Sequence, residues 1–299
     1  MSPAPTPRVL IFGGAGMLGH KVWQVFRDRF DTWVTIRGDA PRANPLLSGD
    51  QVIHGVTAED TGSLSRAWEI ADPTVVVNCI GIVKQLAAAS DPIASLTVNS
   101  LLPHRLAAMA ARANARMIHI STDCVFSGRG GRYREDDLPD AQDLYGRTKL
   151  LGEVTGPGCL TIRTSIVGRE ISATTGLLEW FLGQHGRRLN GYTSAWFSGL
   201  TTAALADLLA DAVESHPGLE GLYHVASEPI SKYDLLCRLN QAYGAGAQIE
   251  PSDEVRIDRT LDGSRFQVAT ATAPARWDDM IAGLVADPTP YNDWRRKGV

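Results

Sequence analysis

Nothing in this 299-residue chain approaches the roughly 18 consecutive apolar residues needed to span a bilayer, so no membrane partner is expected. From Met1 to Arg8 the sequence is rich in proline and alanine. The apolar run that follows stops at Gly13, too short for a secretory leader and without a cleavage pattern, so the expected location is the cytoplasm. Cysteine is sparse: Cys79, Cys124, Cys159 and Cys237 lie far apart, form no CxxC pair and sit in apolar segments. That argues against disulfides and zinc and for reduced core thiols, and no metal site is expected. An excess of basic charge is lacking too. Twenty-nine Lys and Arg against 33 Asp and Glu leave a formal charge of −4 with no basic tail, so nucleic acid is not an expected partner. Repeats and low-complexity segments are also missing.

What the chain has is apolar content, 44% of positions, enough for a large core in one big domain or two unequal lobes. Its first half alternates short β-rich runs with helical patterns. Strands are predicted at Val9 to Phe12, Trp33 to Ile36, Val52 to Gly55, Thr74 to Cys79, Met117 to Ser121 and Leu160 to Arg163. Helices are predicted at Met17 to Phe30, Thr61 to Ile70, Pro92 to Ala113 and Asp143 to Val154. The alternation implies a doubly wound parallel α/β sheet of the Rossmann type with right-handed crossovers. Beyond Thr164 the pattern weakens. A Gly/Arg/Ser-rich stretch runs from Gly183 to Gly199, followed by a helix from Thr201 to Glu214 and a strand from Leu222 to Ala226. Ser231 is placed to cap a helix from Tyr233 to Tyr243, and the tail shows no clear period. The expected division is a dinucleotide-binding domain at 1–164 plus about 198–226, and a smaller interleaved C-terminal substrate lobe at about 165–197 and 227–299.

Directly after the first strand, Gly13, Gly16 and Gly19 form a GxxGxxG pattern that leads into a helix. Glycines there make the tight turn and let backbone N–H groups approach a pyrophosphate at a helix N-terminus. A plain Gly-rich turn is the alternative, but the strand before and the helix after favour the cofactor. An NAD site would carry Asp or Glu near the end of the second strand. Arg37 stands there instead, suited to the 2′-phosphate of NADP(H), with a solvated strand-end arginine as the alternative.

Tyr145 and Lys149 stand four apart on one predicted helix face, a spacing at which a fixed ammonium would lower the phenol toward neutral pH. Amphipathic helices supply YxxxK by chance. The third element, Ser121-Thr122-Asp123, ends the fifth strand at the expected mouth of the sheet, where a hydroxyl can share a substrate carbonyl with Tyr145. Simple turn capping is its bland alternative.

The glycine stretch, Ser121-Thr122-Asp123-Cys124-Val125-Phe126 and Tyr145-Gly146-Arg147-Thr148-Lys149-Leu150-Leu151-Gly152-Glu153 together resemble the extended short-chain dehydrogenases, and more narrowly the dTDP-4-dehydrorhamnose reductase group. The resemblance continues through Arg163-Thr164-Ser165, Ser198 to Thr202 and Gly221 to Ala226. It implies Thr122, Tyr145 and Lys149 as catalytic residues, with Thr122 polarising a keto oxygen and Tyr145 donating the proton. It implies Gly13, Gly16, Met17, Leu18, Gly19, Arg37, Cys79, Ile80, Gly81, Tyr145 and Lys149 toward NADP(H), and Asn99, Thr122 and Tyr145 toward a nucleotide-sugar substrate. Two positions depart from the family pattern: Cys124 stands where many relatives carry Tyr, and Val56-Thr57 where an Asp often meets the adenine. Dehydration needs a second acid/base where Cys124 stands, so reduction of a 4-keto-6-deoxy sugar is the expected reaction. An epimerase, or a non-catalytic NADP-binding regulatory subunit, is the alternative. Arg187, Arg188 and Lys232 are weaker candidates for a diphosphate, and Trp196 and Phe197 for stacking or packing. A homodimer is compatible with this reading.

Overall fold

The structure, a computed structural model, describes residues 6–38, 44–84 and 87–296. Its centre is a seven-stranded sheet. Strands β1 (Arg8–Phe12), β2 (Asp31–Thr35), β3 (Val52–Ile53), β4 (Val75–Asn78), β5 (Arg116–Ile120), β6 (Cys159–Arg163) and β7 (Gly221–His224) lie in the order β7-β6-β5-β4-β1-β2-β3, every pair parallel. The order reverses between β1 and β4, which opens a crevice at the carboxyl ends of those strands.

The strands are apolar on both faces because helices cover both. Val9 and Ile11 enter one core with Val22, Phe26 and Leu205; Leu10 and Phe12 enter the other with Leu64, Leu102 and Leu106. The helix predicted from Met17 starts at Gly19 and ends at Phe26, since residues before it form the glycine turn. Asp143 is a cap rather than the first helical residue, its carboxylate accepting from the Gly146 amide, and the helix runs Leu144–Leu151. Ser231 does cap the helix Lys232–Tyr243.

The stretch from Pro92 to Ala113 is helical as expected but not uniformly so: a π turn, Leu96–Leu101, interrupts it. Inserted turns of this kind have no sequence period of their own. The Gly/Arg/Ser-rich stretch holds two strands, Arg188–Tyr192 and Ala195–Phe197, paired with Gln248–Ser252 and with Ile230–Ser231 and Ile257–Asp258. The tail forms helices Ser264–Thr270, Trp277–Ala286 and Tyr291–Arg296. No helix among the described residues is long and apolar enough to cross a membrane.

Candidate active site

β1 ends at Phe12, and Gly13 turns the chain at φ +94°, a conformation that side chains resist. Its amide donates to Thr35 Oγ1 at 3.2 Å and that of Gly14 to the Thr35 carbonyl at 2.8 Å, tying the turn to β2. A Cβ on Gly19 would lie 2.0 Å from the Gly13 carbonyl oxygen, so the helix can start this close to the strand only with glycine there. Gly16 is exposed and less crowded, with that same oxygen 3.3 Å from its Cβ position. Gly14, outside the expected triplet, is the other packing glycine, its Cβ position 2.1 Å from Val34 Cγ2. The Met17 and Leu18 amides donate to no protein acceptor among the described residues. Uncommitted N–H groups at a helix start are what a dinucleotide pyrophosphate requires.

Two segments flank this turn. Arg37, just past β2, is exposed, and its guanidinium has no hydrogen-bond or ion-pair partner among the described residues. After β4 the Cys79 amide donates to the Phe12 carbonyl at 3.0 Å and the Ile80 amide to Asn78 Oδ1 at 3.1 Å. Burial pushes the Cys79 thiol up to about 12, so it is a neutral wall.

Gly81 connects the turn side to the catalytic side: its Cβ position is 3.9 Å from Lys149 Nζ and 3.5 Å from Asn99 Oδ1. Asn99, expected toward the substrate, is bonded to the loop after β4 and to the YxxxK helix. Its Oδ1 accepts from the Ile82 amide at 2.9 Å, and its Nδ2 donates to the Ile82 carbonyl at 3.1 Å and Thr148 Oγ1 at 3.3 Å. Both amide hydrogens are therefore engaged within the protein, and Asn99 orders the loop beside Lys149. The π turn delivers it there.

Thr122 lies at the end of β5, its hydroxyl accepting from the Cys124 amide at 3.1 Å and donating to Asp123 Oδ1 at 3.1 Å. The helix carrying Tyr145 approaches this segment closely because residue 146 is glycine: a Cβ there would lie 2.2 Å from the Cys124 carbonyl oxygen. The glycine inside the YxxxK run is thus a packing requirement, and with the helix seated there the Thr122 hydroxyl acts on Tyr145, favouring its phenolate.

The titration of Tyr145 runs opposite to the expectation from spacing. Burial, and then the negative charges of deprotonated Cys124, Asp123 and Asp143, raise the phenol above its usual range; the hydroxyl of Thr122 opposes this. Lys149 is not among the largest influences on it. Its Nζ donates instead to the Ile120 carbonyl at 2.7 Å, and burial lowers the ammonium to about 8.

A family model, RmlD substrate binding domain, matches residues 7–265. The chain belongs to the RmlD substrate binding domain family. A relative named dTDP-4-dehydrorhamnose reductase, from Streptomyces griseus, is 35% identical, covering 99% of this chain and 93% of its own. Methionine adenosyltransferase 2 subunit beta from Xenopus laevis is 26% identical, covering 80% of this chain and 73% of its own. In fold, the chain is similar to the Bacillus anthracis dTDP-4-dehydrorhamnose reductase crystallised with NADP: TM-score 0.76, 16% identity, covering 95% of this chain and 100% of that one.

Around the three residues this RmlD-family chain builds a polar support that motif reading did not reach. Ser121 Oγ donates to Glu153 Oε1 at 2.7 Å, and Glu153 takes a two-pronged bond from Arg163, Nε and Nη2 each at 2.8 Å. Arg163 in turn meets His224 on β7, with ring nitrogen Nε2 at 3.3 Å. Glu153 follows the YxxxK helix and Arg163 ends β6, so this buried pair fastens the helix to the sheet; its signal was the Leu-Gly-Glu run. Lys84 Nζ pairs with Asp143 at 3.0 Å, just ahead of Tyr145. Arg188 is not brought to the site: it pairs with Glu250 at 3.2 Å in a separate two-stranded sheet. All four cysteines are free; Cys159 is buried, and Cys79, half-buried, packs against the core while it borders the site.

Proposed function

We propose that this chain is an NADPH-dependent reductase of a nucleotide-linked 4-keto-6-deoxy sugar. The observation that carries the reading is the close seat of the Tyr145 helix on the Thr122–Cys124 segment at the end of β5, where Lys149 bonds the Ile120 carbonyl and Gly81 links this side to a glycine turn with free amides. Gly13, Gly16, Met17, Leu18 and Gly19 would hold the pyrophosphate, Arg37 the 2′-phosphate, and Cys79, Ile80 and Gly81 the wall along the ring. When bound, NADPH supplies the hydride. Thr122 and Tyr145 grip the keto oxygen, and Tyr145 gives it a proton. A phenol held above its ordinary range is protonated at neutral pH and can give its proton to the alkoxide oxygen that hydride addition leaves on the former keto carbon. Lys149 keeps a positive charge near the phenol's path, anchored by the Ile120 carbonyl. Cys124, pushed up to about 12 by burial, is no carboxylate-like acid/base, which supports reduction over dehydration. We assign 1–164 with about 198–226 to cofactor binding and about 165–197 and 227–299 to the substrate lobe, a division supported by the place of β7 in the main sheet.

The methionine adenosyltransferase 2 subunit beta relatives favour a second reading, a non-catalytic NADP-binding subunit. Incubation with NADPH and a panel of dTDP- and UDP-linked 4-keto-6-deoxy sugars separates the two. Reduction predicts loss of the NADPH absorbance with at least one sugar; a thermal shift by NADPH with no oxidation across the panel supports the subunit instead.

A further inference from the structure

Two half-buried cations flank the reacting end of the site, and the reading above assigns them nothing. The short strand Ala195–Phe197 is paired on one side with Ile230–Ser231 and on the other with Ile257–Asp258, and Trp196 is the common partner of Ser231 and Asp258. The residue after each outer strand is a cation: Lys232, which opens the helix Lys232–Tyr243, and Arg259, one pairing step from Trp196 and so on the opposite face of this small sheet from it. Phe197 lies on that face too, and Lys232 Nζ sits 3.8 Å from its ring centroid. Arg259 Nε donates to the Phe126 carbonyl at 2.9 Å, two residues beyond Cys124.

Both charges act on buried Asp123, the neighbour of Thr122. Among the described residues, Lys232 Nζ and the Arg259 amino groups have no hydrogen-bond or ion-pair partner beyond the contacts just given. Asp143, which also feels Arg259, is already paired with Lys84. Two cations acting on the one carboxylate of Asp123, which itself accepts from the Thr122 hydroxyl, leave a positive charge in surplus, next to the thiol that stands in place of a tyrosine. Burial, opposed by the charges of Asp123 and Cys124, brings the Lys232 ammonium down to about 8, a cost that an incoming anion would offset.

We infer that Lys232 and Arg259 form an oxyanion subsite beside Thr122 and Cys124 that takes a negatively charged group of the substrate, a phosphoryl or carboxylate oxygen. The inference rests on the nucleotide-sugar reading and makes it more specific. The diphosphate of the nucleotide and a carboxylate on the sugar are the two sources of that chemistry.

Calorimetric titration of the NADPH-saturated protein with dTDP, UDP-glucose and UDP-glucuronate distinguishes them, in the wild type and in Lys232→Gln and Arg259→Gln. With a diphosphate in the subsite, each substitution weakens all three ligands by roughly 10- to 100-fold, as for loss of a charged hydrogen bond. With a carboxylate there, the wild type prefers UDP-glucuronate to UDP-glucose and the substitutions remove only that preference. Lys232→Arg retains binding in either case, and NADPH affinity is unchanged in every variant. Variants that bind all three ligands as the wild type does overturn this inference alone. Wild-type protein that binds NADPH but none of the three overturns the nucleotide-sugar reading with it.

Discussion

Tyr145 and Lys149 illustrate how burial can outweigh a spacing rule. Four residues apart on a helix they share a face, yet Lys149 bonds the end of β5 and the phenol titrates under the influence of its desolvation and acidic neighbours. Replacing Tyr145 with Phe removes the proton donor and should cost about 10²-fold or more in turnover while leaving NADPH affinity intact, measured by steady-state rates and fluorescence titration. Lys149 has a pH signature. Its ammonium, lowered from 10.5 to about 8 by burial, is charged below that pH, so turnover should fall as pH rises through about 8. The stability sign is the reverse. Between about 8 and 10.5 the unfolded chain binds the proton that the native chain has lost, so the cost of burying Lys149 is full below that window and fades on rising through it. In Lys149→Met the activity limb should vanish; a limb that persists places the titration on another group. Arg37→Ala should weaken NADPH and leave NADH affinity unchanged, since only the former carries the 2′-phosphate.

Secondary-structure elements were the most legible part of the sequence. The six strands up to Arg163 and the covering helices follow from apolar runs and periodicity, and the glycine turn from Gly13 and Gly19. The π turn that aims Asn99 at Ile82, the tight seat of Gly146 on the Cys124 carbonyl and the strands inside the Gly/Arg/Ser-rich stretch were not legible, because each is fixed by a neighbour remote in sequence. Lys232 and Arg259 likewise converge only through a small sheet built from three distant segments. The junction of the YxxxK helix with β6 gives a direct test. Glu153→Ala leaves the Arg163 guanidinium buried without its carboxylate and should destabilise by about 3–5 kcal/mol, read from urea denaturation, with the catalytic rate lowered as the helix loosens. A change below about 1 kcal/mol would put the pair among weakly contributing ones.

Across the whole molecule, the C-terminal tail closes back on the glycine turn. His20 Nδ1 lies 2.8 Å from the Gly16 carbonyl and its Nε2 2.8 Å from the Tyr291 hydroxyl, which in turn donates to Asp287, the partner of buried Lys21. The tail thus braces the first turn of the helix that would face the pyrophosphate, although Asp287 and Tyr291 lie past the family-matched residues 7–265. Asp287→Ala strands the Lys21 ammonium and should lower both unfolding midpoint and NADPH affinity; a lowered midpoint with unchanged affinity would limit the tail to a stabilising part. The account as a whole depends on hydride leaving the cofactor for a sugar carbon held between Thr122 and Tyr145. The most direct test is transfer of label from NADPH deuterated at nicotinamide C4, one C4 position at a time, to dTDP-4-keto-6-deoxy sugar substrates, followed by mass spectrometry of the sugar. The account predicts deuterium on the former keto carbon from one of the two labelled forms, with transfer slowed in Tyr145→Phe; NADPH that binds and returns with its label intact for every sugar would contradict it.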